Sequence, residues 1–331
     1  MTSDGYKALP TATAVMPARN EERTIAAAIE SLLDQTYEGS LDVVVAVAPS
    51  ADRTLEIATG MAARTGRVTV VENPAATTPA GLNAAIAAAT GDVIVRCDAH
   101  AEMPAGYVAT AVQTLQSTDA VNVGGVQDAI GIAPMQRAIA AAMSSPFGVG
   151  DARFHLGGEA GFVDTVYLGV FRRDALEAVG GYDETLIRNQ DYELNYRLRE
   201  AGGGVYFDPS LSVTYRPRSS LHGLWKQYFG YGRWKSVVMR RHPGSARWRQ
   251  LVAPAFVVGL GFSAVAGITG HPRLAAVVPG TYALATLAAT TVEVAKRKDA
   301  AVLLLPVVFP TMHLAWGFGF LVPGHPSSRD A

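Results

Sequence analysis

The sequence predicts an α/β fold, a doubly wound and mainly parallel sheet, followed by a carboxyl-terminal all-α transmembrane region. Three observations carry this. From residue 11 to about 126, short Val-rich runs alternate with stretches of helical spacing, the pattern of strands covered by helices on both faces. Charged residues are 17% of the chain, against about 25% in an average soluble domain. Near the carboxyl terminus, Leu251 to Gly270, Leu274 to Val292 and Ala300 to Val322 contain no Asp, Glu, Lys or Arg, and each approaches the ~20 residues that span a bilayer.

The elements follow in order. "TATAVMP", "LDVVVAVA", "RVTVVE" and "DVIVRCD" read as strands, because they are short, apolar and β-branched. Glu21 to Gln35, Asp52 to Arg64 and Pro79 to Ala89 read as the helices between them, with Asn20 as the expected N-cap of the first. Glu21 and Glu22 suit that helix's positive end. Open sheets of this kind bind ligands beyond the carboxyl ends of their strands. "MPARNEE", "APSADRT" and "DAH" all fall there. From Gly124 to Phe207 the pattern is looser: "DTVYLGVF" reads as a strand and "NQDYELNYRLREAGG" as a helix stopped at Gly202.

Several classes of function lose their support. No G-x-G-x-x-G follows the first strand and no G-x-x-x-x-G-K-[ST] occurs anywhere, so phosphates would have to be held by a metal. Cys97 is the one cysteine, which excludes an intrachain disulfide and a multi-cysteine metal site. Net charge is −1, with no overall bias toward a nucleic acid. From Pro209 to Gln250 there are nine Lys and Arg and no acid, interleaved with Leu224, Trp225, Tyr228, Phe229 and Trp234. Beside a membrane span, that mixture suits an anionic lipid surface or a lipid-linked substrate better than nucleic acid. Gly230 and Gly232 weigh against one unbroken helix there.

Domain boundaries are expected at 1–215 for the α/β domain, 216–249 for the basic and aromatic interface segment, and 250–331 for three spans and a short tail. "MTSDGYKALP" lacks the apolar run of a secretory signal. The loop "KRKD" carries three cations where "HPR" has one. The positive-inside rule then places the α/β domain and the second loop in the cytoplasm. A multi-pass protein of the inner membrane is the expectation.

Asp98 and His100 stand two apart at the end of the fourth strand. Side chains two apart on an extended chain face one side, so both can address one metal ion, or they can be loop decoration.

Several motifs coincide in order: "VMPARNEERTIAAAIESLLDQTY", "DRTLEIA", "NPAATTPAGLNAAIAAATGDVIVRCDAH", "YLGVFRRDALEAVGGYDETLIRNQDYELNYRL" and "QYFGYGRW". Over roughly residues 11 to 235 this set resembles the inverting family 2 glycosyltransferases with their GT-A fold. It is most similar to the membrane-anchored group resembling succinoglycan-biosynthesis glucosyltransferases. The resemblance implies sugar transfer from a nucleotide-sugar donor to a hydroxyl, with a divalent cation bridging the donor phosphates. Asp98 matches the first acid of the family's D-x-D and His100 replaces the second. Imidazole favours Mn²⁺ over Mg²⁺. Pro17, Ala18, Arg19, Glu21, Ser50, Asp52, Asn83 and Asp98 fall at donor-binding positions. Many relatives have D-D-G-S where this chain has Val47-Ala48-Pro49-Ser50, so a UDP-sugar is only the default donor.

Asp191 matches the family's catalytic base, with Gln190 replacing the usual preceding Glu; Glu159 and Asp164 are rival carboxylates. Read from the residues alone, Asp191 and Glu193 are the acidic first turn of a helix. On the acceptor side the resemblance points to Asp164, Gln190, Gln227, Arg233 and Trp234. The basic, aromatic segment suits an acceptor saccharide on a polyprenyl diphosphate. The competing expectation is a non-catalytic membrane protein whose degenerate GT-A domain binds a glycan or partner.

Overall fold

The computed structural model describes residues 9–322. In chain order the first elements are β1 (Ala12–Ala18), α1 (Ile25–Leu33), β2 (Leu41–Val47), α2 (Thr54–Thr65), β3 (Val68–Glu72), α3 (Thr78–Ala88), β4 (Val93–Arg96), α4 (Tyr107–Ser117) and β5 (Ala120–Ala129). Then come α5 (Pro134–Met143), α6 (Pro146–Val149), α7 (Arg153–Leu156), β6 (Gly161–Phe162), β7 (Tyr167–Arg172), α8 (Arg173–Ala178), α9 (Gln190–Glu200) and β8 (Gly204–Tyr215). Four long helices close the chain: α10 (Leu221–Arg241), α11 (Trp248–Ile268), α12 (Pro272–Arg297) and α13 (Leu305–Leu321).

Two units form. Among the described residues, unit 1 holds those up to Gln127 and Gly157–Thr214. Its eight strands run in the order β3-β2-β1-β4-β7-β5-β8-β6. The pairs β1–β2, β1–β4 and β2–β3 are parallel. β7 enters antiparallel to both β4 and β5, and β6 is antiparallel to β8. β1 is buried along nearly its whole length, with Thr13 its one polar residue, because both its faces are covered. Pro17 is tolerated in it for a simple reason. The β1–β4 ladder ends at Val15↔Arg96, two residues before Pro17, so the N–H that proline lacks is not one of that ladder's bonds. Ile25, Ala28, Ile29 and Leu32 of α1 recur at helical spacing and are all buried.

α1 begins four residues later than Glu21, behind Thr24 rather than Asn20. Asn20 is not its cap because its backbone is left-handed (φ 56°) and its side chain accepts from the Ala51 N–H. Asparagine tolerates that conformation better than most residues.

Among the described residues, unit 2 joins Asp128–Leu156 to those from Tyr215 onward. The sequence division at 1–215 therefore needs correcting. Residues 128–156 belong with the closing helices because α5 is apolar on the face that meets them. Ala138, Ile139, Ala142 and Met143 are buried in one cluster with Leu224, Tyr228, Leu305, Phe309 and Met312. Trp248–Ile268, Pro272–Arg297 and Ala300–Leu321 are long and apolar enough to cross a membrane. The second outruns its charge-free stretch. Glu293 lies in its last turns and pairs with Arg297 one turn on, at 2.8 Å.

α10 is one helix of 21 residues, not a segment broken at its glycines. Leu224, Tyr228 and Trp234 are buried within unit 2, so they are not a row of lipid-facing anchors. The glycines permit a close crossing. A Cβ on Gly232 would stand 2.1 Å from the Trp316 carbonyl oxygen, and one on Gly319 2.1 Å from that of Phe229. Gly232→Val should therefore lower the detergent-solubilised protein's Tm by an amount corresponding to at least the ~1–3 kcal/mol of an overpacked core. A change at an exposed glycine such as Gly261, which has nothing near its Cβ position, should be far milder. Equal shifts would contradict the crossing.

Candidate active site

The carboxyl ends of β1, β2 and β4 are adjacent, and the loops leaving them are laced together. The Asn20 N–H donates to Ser50 Oγ (3.1 Å), and the Ala51 N–H returns a bond to Asn20 Oδ1 (2.8 Å). The Glu22 N–H donates to Asp52 Oδ2 (3.1 Å), while Asp52 Oδ1 accepts from the Thr54 N–H and hydroxyl. The Thr54 hydroxyl in turn accepts from the Glu21 N–H at 2.7 Å. The Thr54 hydroxyl first, then the Glu22 and Thr54 N–H groups, hold the Asp52 carboxyl below its usual range. Ser50 and Asp52 thus tie the first two loops together.

His100 meets the same assembly from the third loop. Its Nδ1 lies 3.1 Å from Glu21 Oε1, and Glu21 Oε2 accepts from the Thr24 hydroxyl. Asp98 is turned toward the strand end. Its Oδ1 accepts from Arg96 Nε (3.3 Å) and Nη2 (3.1 Å).

Asp191 comes from a different part of unit 1. Asn189 enters α9 with a left-handed backbone (φ 60°), and Asp191 follows in the first turn. There its carboxylate pairs with Arg96 Nη1. The helix is pinned one turn later. Asn195 Nδ2 donates to Thr165 Oγ1 (2.9 Å) and Asn195 Oδ1 accepts from Asn122 Nδ2 (2.6 Å), all buried. Glu193 is buried against Arg197, which also donates to the Val179 and Gly181 carbonyls. Glu193 is therefore structural, and the exposed member of this acidic turn is Asp191, at 40%.

Arg96 is the residue that sequence reasoning missed. Its side chain is 7% exposed. Burial opposes its charge, but Asp191 and then Asp98 outweigh burial and hold it above the ordinary arginine range. The signal was present: an arginine closing an otherwise apolar strand, "VIVR", needs a carboxylate partner.

Other predicted site residues divide. Asn83 lies in α3 with its amide committed to the 181–184 turn: it donates to the Tyr182 carbonyl and to Glu184, and its Oδ1 accepts from the Tyr182 N–H. It shapes that turn. Pro17 and Ala18 end β1, and Arg19 follows at the loop's exposed start. Gln190 is buried beside Asp191, and Asp164 adjoins Thr165 of the Asn195 network. Gln227, Arg233 and Trp234 belong to unit 2. Gln227 Nε2 donates to the Tyr215 and Tyr231 hydroxyls, and Trp234 is buried. His313 likewise has packing partners, Tyr282 at 2.8 Å and the Phe147 carbonyl at 3.0 Å.

A family profile described as glycosyl transferase family 2 matches residues 13–180, the span that contains the laced loops, Arg96, Asp98 and His100. The chain is also 33% identical over 308 residues to succinoglycan biosynthesis protein ExoA of Rhizobium meliloti (strain 1021), covering 92% of each. The chain belongs to glycosyl transferase family 2. This makes it a transferase. A second family relative is 24% identical over 315 residues, with 92% of this chain and 94% of the relative covered. It is a dolichyl N-acetyl-α-D-glucosaminyl phosphate 3-β-D-2,3-diacetamido-2,3-dideoxy-β-D-glucuronosyltransferase of Methanococcus voltae. The fold agrees with that of a mannosyltransferase from Pyrobaculum calidifontis solved with GDP-Man and Mn²⁺. The TM-score is 0.65 at 19% identity, over 93% of this chain and 86% of that one. The family 2 fold thus covers the predicted α/β architecture.

Proposed function

We propose that this family 2 glycosyltransferase moves a sugar from a nucleotide-diphosphate donor to a hydroxyl of a lipid-linked saccharide, with inversion and with a divalent cation. The observation that carries the reading is the pair of carboxylates on Arg96. Asp98 stands at the sheet edge where such folds bind ligands, and Asp191 is held beside it by the same guanidinium.

The residues fit a cation. Both Arg96 bonds to Asp98 use Oδ1, so Oδ2 is the oxygen to meet a metal. A ligating histidine commonly donates its second ring N–H to a carboxylate, and Glu21 stands at His100 Nδ1 in that position. Among the described residues no group of three His, Cys, Asp or Glu forms a cage, which suits an ion completed by diphosphate oxygens and water. A bound cation would offset the charge that develops on the leaving diphosphate. Glu21, Ser50 and Asp52 hold the loops that would receive the nucleotide. Asp191 would accept the proton of the attacking hydroxyl from the face opposite the leaving group.

The apolar helices support a membrane anchor, and the relatives named for succinoglycan synthesis and for a dolichyl-phosphate-linked sugar support a lipid-linked acceptor. The cations Lys296 and Arg297 in the last turn of α12, with Lys298 just after it, favour the inner membrane with the α/β unit cytoplasmic. UDP-sugars are the first donors to try and GDP-sugars the next. Incubating the detergent-solubilised protein with each donor, Mn²⁺ and a membrane lipid extract tests the reading. Sugar should appear in the lipid fraction, in the opposite anomeric configuration to the donor. Retained configuration would contradict inversion and the role of Asp191.

A further inference from the structure

The roles proposed for Asp98 and Asp191 leave their shared partner without one. We propose that Arg96 is a positioning residue: anchored on Asp98, it fixes where the base Asp191 stands relative to the donor's phosphates. This rests on the base assignment made above.

Four observations support it. Arg96 closes β4 at the point where that strand is paired with β1, through Val15↔Arg96, so its backbone is fixed. Its side chain is 7% exposed, and a guanidinium so buried needs carboxylate partners. The planar group holds its donors in a rigid fork: Nε and Nη2 bond Asp98 Oδ1 while Nη1 bonds Asp191 Oδ1. The spacing of the two carboxylates is therefore set by one covalent group. Finally, Arg96 is the ion-pair partner of Asp191, whose side chain is otherwise 40% exposed and in reach of solvent. Without the fork, two carboxylates of like charge would stand close together and the base would be free to turn away.

The test is a double-mutant cycle in the full-length protein. Arg96→Lys keeps the charge but replaces the fork with a point charge. It should lower kcat about 10²-fold, the cost of a misplaced catalytic group, while donor KM changes little. In an Asp191→Asn background the same change should cost no more than about 3-fold, because residues acting as a unit are non-additive. Mn²⁺ and UDP together should still raise the Tm of Arg96→Lys, since Asp98 Oδ2 is untouched. Full activity in Arg96→Lys, an undiminished loss in the Asp191→Asn background, or loss of the Mn²⁺–UDP shift would each overturn the proposal. If Arg96→Lys does not fold, Arg96→Gln is read in the same cycle. Full activity of Asp191→Asn alone is a different outcome, which removes the base on which the proposal rests whatever Arg96 does.

Discussion

Asp191→Asn is expected to lose about 10²–10⁴-fold in turnover, the range general-base catalysis contributes, while donor binding persists. Asparagine is nearly isosteric and can still accept from Arg96 through its amide oxygen, but it cannot take a proton from the acceptor. The helix should survive the change, because α9 is pinned elsewhere. Asn195 is bonded to Thr165 and Asn122, and Arg197 to Glu193 and two carbonyls. Steady-state kinetics with a labelled donor, together with Tm, separate the two effects. Turnover near the unaltered protein's would remove Asp191 from the mechanism.

Asp98→Ala is expected to act on binding instead. Ligand that binds the native state with [L] near 100 Kd stabilises it by about 2.7 kcal/mol, so Mn²⁺ and UDP together should raise the Tm of the unaltered protein by several degrees. Asp98→Ala should abolish that rise, because the cation would lose its one carboxylate ligand on this edge. It also removes one of the two carboxylate partners of buried Arg96, so the ligand-free Tm should fall as well. His100→Ala should weaken the Mn²⁺ response while leaving the ligand-free Tm nearly unchanged, since His100 is a half-exposed loop residue and its contact with Glu21 is a surface one. A response in His100→Ala equal to the unaltered protein's would make the imidazole decoration.

The α/β alternation was legible because period and composition report directly on what each segment buries. β1, β2 and β4 are mostly apolar and buried on both faces, and α1 carries its stripe at Ile25, Ala28, Ile29 and Leu32. The three apolar helices were legible for the same reason. Less visible was anything decided by pairing over long sequence separations. Residues 128–156 show no mark in the sequence of their membership in unit 2, because Ile139 and Met143 find Leu305 and Phe309 only in the folded chain. Gly230 and Gly232 pointed to a break in α10, since local propensity cannot show that a helix crossing requires Gly232 to have no Cβ. Asn20 resembled a cap until Ala51 claimed its side chain.

At the candidate site, Asp98, His100 and Asp191 were identifiable as residue types at strand and helix ends. Their connection was not. Arg96 stands two residues from Asp98 but 95 from Asp191 in the chain, and one sequence does not report the second distance. Glu21 was expected near the donor, yet its contact with His100 across 79 residues was equally hidden.

The central claim is that this sheet edge holds a nucleotide diphosphate through a divalent cation. Isothermal titration of UDP, and of GDP in parallel, into the full-length protein tests it directly, once with Mn²⁺ and once with EDTA. At least one nucleotide should bind with Mn²⁺ and at least about tenfold more weakly without it, a difference of about 1.4 kcal/mol. Equal binding in EDTA would contradict the account.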